Sequence, residues 1–223
     1  INEEDLRRAK AFHTARVEKI NGIGLDTKRF SSCTVNKAEK RKELGIPENA
    51  FFVVSVGELK VHKNHEAIIR ALAKKQDLHV FYGICGKGEL LEYLKNMAKK
   101  QGVAKQVFFF GYRTDVAEIL HTADLFAFPS RRDGLGLAAL EAMASGLPLL
   151  TSNVGGIPDY VKNGITGFSY RYDDIDGFAE GLQKYCCDAE LRKRVINNGL
   201  EAVQKYDIRE VEQTVCRLME MED

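Results

Sequence analysis

The sequence predicts an α/β protein built on a doubly wound parallel sheet, and three observations carry that expectation. Short apolar segments alternate with amphipathic helical ones from Phe51 to Tyr170, the signature of βαβ winding. The apolar segments are nearly continuous rather than alternating, as in strands covered on both faces. Several of them run into glycine or proline, at Gly57, Gly111 and Pro129. Three helical stripes then close the 223-residue chain, which is long enough to bury a proper core. One α/β domain with a helical C-terminal tail is expected.

Taken in order, Asn2 followed by Glu3, Glu4 and Asp5 predicts a helix start, an amide cap before acids at the positive helix end. Leu6, Ala9, Lys10 and His13 continue it at helical spacing. Val17–Ile20 reads as a short strand, and Asn21–Gly24 as a flexible connector. Lys37–Leu44 is a charged helix stopped by Gly45, with Pro47 beyond. Everything before Phe51 reads as peripheral. Phe51–Val56 is a central strand, followed by the loop Glu58–Asn64 and a helix over His65–Lys74 with Asn64 as its cap. Leu78–Ile84 is the next strand; Gly86-Lys87-Gly88 leads to a helix carrying Leu90, Leu91, Leu94, Met97 and Ala98. Val107–Phe110 is a strand ending at Gly111, and Asp115 is expected to cap a short helix through His121. Leu125–Phe128, a helix over Leu137–Ser145, a second buried strand and a small strand near Gly167–Tyr170 follow. Ile175 to Cys186, Leu191 to Leu200 and Ile208 to Leu218 supply the tail.

Composition excludes several classes. The net charge of +1 gives no pull toward nucleic acid or an acidic membrane. No apolar run approaches the roughly 20 residues of a membrane span. Five cysteines without a CxxC pair argue for reduced thiols in the cytoplasm rather than a disulfide framework. Lys95, Lys99 and Lys100 read as a solvated helix face, with peripheral association at the inner face of the membrane as the alternative. His62 and His65 form an HxxH pair, but no carboxylate or cysteine at ligand spacing supports a metal site.

Ligands of doubly wound sheets bind outside the carboxyl ends of the strands. Those ends are Gly57–Lys63, Gly83–Gly88, Gly111–Arg113, Ser130–Gly136 and Ser152–Gly156. Glycine turns that feed helix starts, with Lys and Arg nearby, suit a phosphate or diphosphate. Gly134-Leu135-Gly136-Leu137-Ala138-Ala139 also fits the GxGxxA form of a dinucleotide fingerprint. The acid expected about 20 residues on is missing, however, since Thr151, Ser152 and Asn153 stand there. Binding of NAD by an oxidoreductase is therefore the weaker reading. Asp133 and Glu141 are the acids of the stretch. Glu141 sits between Leu140 and Ala142 in the most apolar helix, where an unpartnered carboxylate is costly. It is suited to vicinal ribose hydroxyls, and Asp133 to a sugar hydroxyl or the reacting centre.

The runs SRRDGLGLAALEAMASGLPLL and GGIPDYVKNGITGF closely resemble the donor-binding half of retaining glycosyltransferases of family four. SVGELKVHKN, GKGEL, VFFFGYRTDVAEILHTADLFAFPS and INGIGLDTKRF agree, in order, over nearly the whole chain. The flavour is that of bacterial enzymes making capsular or extracellular polysaccharides. The resemblance implies the carboxy-terminal, Rossmann-like half of a two-domain GT-B fold, with residues 1–30 a remnant of the amino-terminal domain plus the interdomain passage, and 31–223 the donor domain. It implies a nucleotide-diphosphate sugar (UDP- or GDP-linked), no obligatory metal, and transfer of a hexose with retention to a saccharide or lipid-linked acceptor. By matching position, Glu141 would hold the ribose, and amides around Gly134, Leu135, Gly136 and Leu137 the diphosphate. Arg113, just past Gly111, would lie beside the base through its main chain, and Gly86 would line the nucleotide site. Lys63 would bind the diphosphate and stabilise the leaving group.

Two departures stand out. Asp133 replaces the family's usual glutamate, and Glu58 replaces a frequent arginine on the diphosphate, leaving Lys60 or Arg131 to compensate. The acceptor domain is not in the 223 residues, so a non-catalytic nucleotide-binding or assembly module is the rival from another class. Apolar surface left where that domain would pack is expected to favour self-association.

Overall fold

The computed structural model describes residues 2–11 and 17–220. Its strands are β1 (Phe51–Val56), β2 (Val80–Cys85), β3 (Val107–Gly111), β4 (Leu125–Phe128), β5 (Leu149–Ser152) and β6 (Phe168–Tyr170). They form one sheet in the order β3-β2-β1-β4-β5-β6, every neighbouring pair parallel. The chain winds outward from β1 to β3, then returns to lay β4 on the other side of β1. That reversal opens a crevice above the carboxyl ends of β1 and β4.

The helices are α1 (Glu3–Ala9), α2 (Thr27–Ser31), α3 (Lys37–Glu43), α4 (His65–Ala73), α5 (Leu91–Lys100), α6 (Val116–Thr122), α7 (Leu137–Ala144), α8 (Ile157–Tyr160), α9 (Ile175–Cys187), α10 (Ala189–Val203) and α11 (Ile208–Glu220). The two-residue period of the strands sorts side chains between two cores. Phe52, Val54, Phe126 and Phe128 face Ile119, Leu120, Leu140 and Met143 of α6 and α7. Val53, Tyr82, Ile84, Leu125 and Ala127 face Ile68, Leu72, Leu94, Phe178 and Leu182 of α4, α5 and α9. Both faces are apolar, which explains why the strands read as continuous runs. The α/β sheet and its helical tail are as expected.

The segment before Phe51 departs from its peripheral reading. Leu25, Phe30, Leu44 and Ile46 belong to the first core. Asp26 caps α2 by accepting from the Arg29 amide at 2.9 Å. Arg41 is almost wholly buried and donates to the carbonyls of Thr122, Glu48 and Ala50 and to Asp124, tying α3 to the amino ends of β1 and β4. Composition hid this, because α3 looks charged throughout. Val17–Ile20 is not a strand and has no partner in the sheet. His13 lies outside the described residues. Asn2 caps α1 as expected. Asn64 and Asp115 precede α4 and α6 without capping them through their side chains, because both are committed elsewhere. Helix α8 was not anticipated; at four residues it is too short to show a period.

His65, in the first turn of α4, is buried at the junction of three strands. Its Nδ1 lies 3.1 Å from the Tyr82 hydroxyl and its Nε2 3.2 Å from the Glu58 carbonyl. Tyr82 donates to Ser55 at 2.8 Å, and Ser55 to the Ala127 carbonyl. The chain of bonds links β1, β2 and β4 to the loop after β1. Burial pulls the imidazole down to about 4, against a smaller upward effect of the Glu58 carbonyl. A depressed histidine binds fewer protons folded than unfolded between its two values, so stability falls as pH drops from about 6.5 to 4. On the order of 3 kcal/mol is at stake in that window. Urea denaturation at pH 7 and pH 4.5 should show the loss, and His65→Gln should remove most of the difference between them.

Candidate active site

The crevice is built from two loops that cross above β1 and β4. The loop after β1 turns through a single 3-10 turn, Val61–Lys63, and Asn64 adopts a left-handed φ of +57°. Asn64 donates to the carbonyls of Pro129 at 2.9 Å and Tyr172 at 2.8 Å, and the Arg131 amide donates to the His62 carbonyl at 2.8 Å. The two loops are thus stitched together, and Lys63 is aimed across them. Its ammonium lies 2.7 Å from Asp133 and 5.2 Å from the Phe128 ring centre. A cleft of about 340 Å³ opens there, lined by Ile23, Lys63, Phe128, Asp133, Leu135, Gly136, Leu137 and Ala138.

The turn from Asp133 to Gly136 has its carbonyls drawn to one side. Gly134 O accepts from the Gly156 amide at 2.7 Å, and Leu135 O from the buried Tyr160 hydroxyl at 2.9 Å. Gly155, at φ +54°, lies so close that a Cβ would stand 1.8 Å from Asp133 O; only glycine fits. Gly136, at φ +75°, meets Ile157 and Tyr160 in the same way. Among the described residues the amides of Leu135, Leu137 and Ala138 have no acceptor, the last two being first-turn amides of α7. Free amides at a helix start beside a lysine are the chemistry that suits an anion.

Glu141 stands one turn into α7, on the side of Leu137 and Ala138, at i+4 and i+3. It is half-buried, and no described residue hydrogen-bonds its carboxylate. Burial raises its pKa, offset by the charge of Arg29 on α2. A second hollow of about 400 Å³ lies over the ends of β1, β2 and β3, lined by Val56, Gly57, Glu58, Cys85, Gly86, Lys87, Tyr112, Arg113 and Val116. Gly86 is required there by protein rather than ligand: a Cβ would sit 1.9 Å from Gly57 O. Gly111, at φ +68°, accepts from the Gly86 amide at 2.7 Å. The Arg113 guanidinium is held by Asp115 and by Glu43, the latter at 2.6 Å.

Lys63, Asp133 and Leu135–Leu137 therefore line one cleft, with Glu141 a helical turn further along α7, and Gly86 and Arg113 line the adjoining hollow, where Gly86 bonds to Gly111. Lys60 and Arg131 do not join the cleft. Lys60 pairs with Glu58 at 3.0 Å, and Arg131 turns to Glu66 at 2.9 Å and Asn64 at 3.2 Å. Both line a separate hollow beside Leu90 and Tyr93. Asp133 is more committed than its sequence suggested. One oxygen accepts from the Gly136 amide at 2.8 Å, and the other holds Lys63. Ile23 was missed; its only signal in the sequence was a lone apolar residue between Gly22 and Gly24, and the fold leaves it 70% exposed. Arg29 was missed too, for want of any local pattern. Among the described residues no cluster of His, Cys, Asp or Glu could hold a metal ion, and no helix is long and apolar enough to cross a membrane.

Fold and site together define a Rossmann-like domain of the GT-B type with a turn of unsatisfied amides at its switch point. The chain belongs to the group 1 glycosyl transferases, whose family model matches residues 36–202. It is 33% identical over 196 residues to the UDP-Gal:α-D-GlcNAc-diphosphoundecaprenol α-1,3-galactosyltransferase of Escherichia coli, covering 82% of this chain and 50% of the relative. It is 28% identical over 217 residues to the D-inositol 3-phosphate glycosyltransferase of Corynebacterium glutamicum (strain R), covering 92% and 52%. Among solved structures it resembles WaaG, a glycosyltransferase involved in lipopolysaccharide biosynthesis (TM-score 0.76, 27% identity, 89% of this chain and 55% of that one). HepE of Anabaena in complex with UDP shares the fold at TM-score 0.82 and 22% identity, over 89% and 56%. The chain spans about half the length of the curated relatives it matches.

Proposed function

We propose that residues 31–223 form the donor-binding domain of a glycosyltransferase that takes its sugar from a nucleotide diphosphate. The observation that carries this reading is Glu141, a half-buried carboxylate without a hydrogen-bond partner, one turn below free amides and a lysine. A carboxylate left unpaired at the protein's own cost fits a pair of ribose hydroxyls. The amides of Leu135, Leu137 and Ala138 would take the diphosphate, with the base in the hollow between Gly57, Gly86 and Arg113. A UDP-sugar is the favoured donor, since the E. coli relative is named for UDP-Gal and HepE binds UDP. As the bond from sugar to diphosphate breaks, negative charge gathers on the leaving oxygen, and Lys63 and the turn amides supply the balancing positive charge. Transfer with retention, to a saccharide or lipid-linked acceptor in bacterial surface polysaccharide synthesis, completes the proposal. In that scheme the acceptor is held by an amino-terminal domain, α1 is the end of that domain, and the work is done in the cytoplasm at the membrane face.

One observation favours the rival, a nucleotide-binding module without catalysis: both oxygens of Asp133 are already engaged. Calorimetry with UDP, GDP and NAD tests the shared part of both readings. Binding of UDP or GDP without NAD is expected; NAD alone would overturn the donor-site assignment.

A further inference from the structure

Asn2 is only 3% exposed although it stands at the start of a short surface helix. Every polar atom of its carboxamide is used. Oδ1 accepts from the Asp5 amide at 2.8 Å and caps α1. Nδ2 donates to Asp5 at 2.7 Å and to the Gly134 carbonyl at 3.1 Å. Next to it, the Glu3 amide donates to Asp159 at 3.0 Å, and Lys19 bridges Glu3 at 2.7 Å and Asp159 at 3.0 Å. These bonds fasten α1 onto α8 and the turn 133–136. Gly156 permits the approach, since a Cβ there would lie 2.7 Å from Gly134 O and 3.0 Å from the Asn2 Cβ.

The consequence lies in the peptide joining Gly134 to Leu135. In a trans peptide the carbonyl and the following N–H point to opposite sides. One donor, the Gly156 amide, would hold Gly134 O at a single point. Asn2 adds a second donor from a different element, and together they fix the peptide plane with its oxygen toward α1 and α8. The Leu135 N–H must then face away from α1, toward the cleft that Leu135 lines. Among the described residues it has no acceptor. We propose that Asn2 is a positioning residue of the donor site: through the Gly134 carbonyl it presents the Leu135 amide to the diphosphate. This rests on the donor-site reading given above. Coupling between sites is reciprocal, so a bound diphosphate holds α1 in place as firmly as α1 holds the turn.

Asn2→Asp keeps the cap and removes both donations of Nδ2, to Gly134 O and to the Asp5 carboxylate. Aspartate caps a helix as well as asparagine does, but it has no N–H to give and sets an oxygen against Gly134 O. Asn2→Ser keeps a cap without adding charge. For both variants we expect unchanged affinity for uridine, UDP affinity lower by about tenfold, the loss of one hydrogen bond to a charged group, and no protection of the α1 amides by UDP in hydrogen exchange. In the parent protein UDP should slow exchange of those amides. Equal UDP affinity in parent and both variants would overturn the positioning role while leaving the donor site standing. A parallel fall in uridine and UDP affinity would overturn it as well, since that marks general loosening. A parent protein that binds no UDP at all would take the donor-site reading down, and this role with it.

Discussion

Glu141→Ala is expected to abolish useful nucleotide binding while making the free protein more stable. Two hydrogen bonds from ribose to a charged acceptor, at about 1.5 kcal/mol each, correspond to roughly 100-fold in UDP affinity. Stability should move the other way. The carboxylate is half-buried without a partner, and burial raises its pKa, so the charged form is held at a cost. Its folded-state pKa lies above the unfolded value, so its contribution is most favourable at low pH and is lost as pH rises through the folded pKa. Alanine removes that dependence and adds helix propensity worth up to about 0.5 kcal/mol. Thermal unfolding and calorimetry on one variant read both signs. A variant that binds UDP as tightly as the parent would sink Glu141 as the ribose ligand, whatever its stability.

Lys63→Met should have the second largest effect, and it reports on the diphosphate rather than the nucleoside. Lys63 and Asp133 are both largely shielded, their side chains 20% and 16% exposed. Removing the ammonium strips Asp133 of its cation and leaves only the Gly136 amide to hold it. A stability loss of about 1–3 kcal/mol follows from leaving a mostly buried charge short of a partner. UDP affinity should fall by at least tenfold, with uridine affinity much less affected. Asp133→Asn is the informative companion. It retains an oxygen for the Gly136 amide, frees Lys63 from its ion pair, and should leave UDP binding equal or tighter. Sugar transfer, measured in the whole protein, would then separate the two roles of Asp133. Loss of transfer with binding intact marks contact with the reacting sugar; transfer at the parent rate would reduce Asp133 to a brace for the turn.

Asp133 also reaches the amide three residues on, as turn aspartates commonly do. It thereby helps shape the turn whose amides face the cleft. Under the donor-site proposal Lys63 would be shared between Asp133 and the diphosphate.

Much of the fold was legible because strand and helix periods are local properties of the chain. Phe51–Val56, Leu125–Phe128 and the helix after Gly136 were visible from apolar runs and glycine stops alone, and the parallel sheet followed from their alternation. Glu141 was legible for a related reason: a carboxylate inside an apolar helix is anomalous wherever the helix sits. The buried role of Arg41 was not legible, because a buried arginine and a surface arginine look alike in a charged helix. Whether Asp115 and Asn64 would cap their helices was equally closed to the sequence. Lys40, Pro129 and Tyr172 reach those side chains from distant parts of the chain, and Arg113, two residues before Asp115, takes its carboxylate as an ion pair that a capping pattern does not include.

By itself the sequence determined a doubly wound sheet, the glycine turn after its fourth strand and the family from which this chain comes, since all three are written in short contiguous motifs. Tertiary structure decided which charges face the cleft. It kept Lys63 there, turned Arg131 and Lys60 away to Glu66 and Glu58, engaged both oxygens of Asp133, and brought Asn2 from 132 positions away to the Gly134 carbonyl. The physical reason is that a long side chain pairs with whatever the fold places within reach, and spacing along the chain carries no record of that distance.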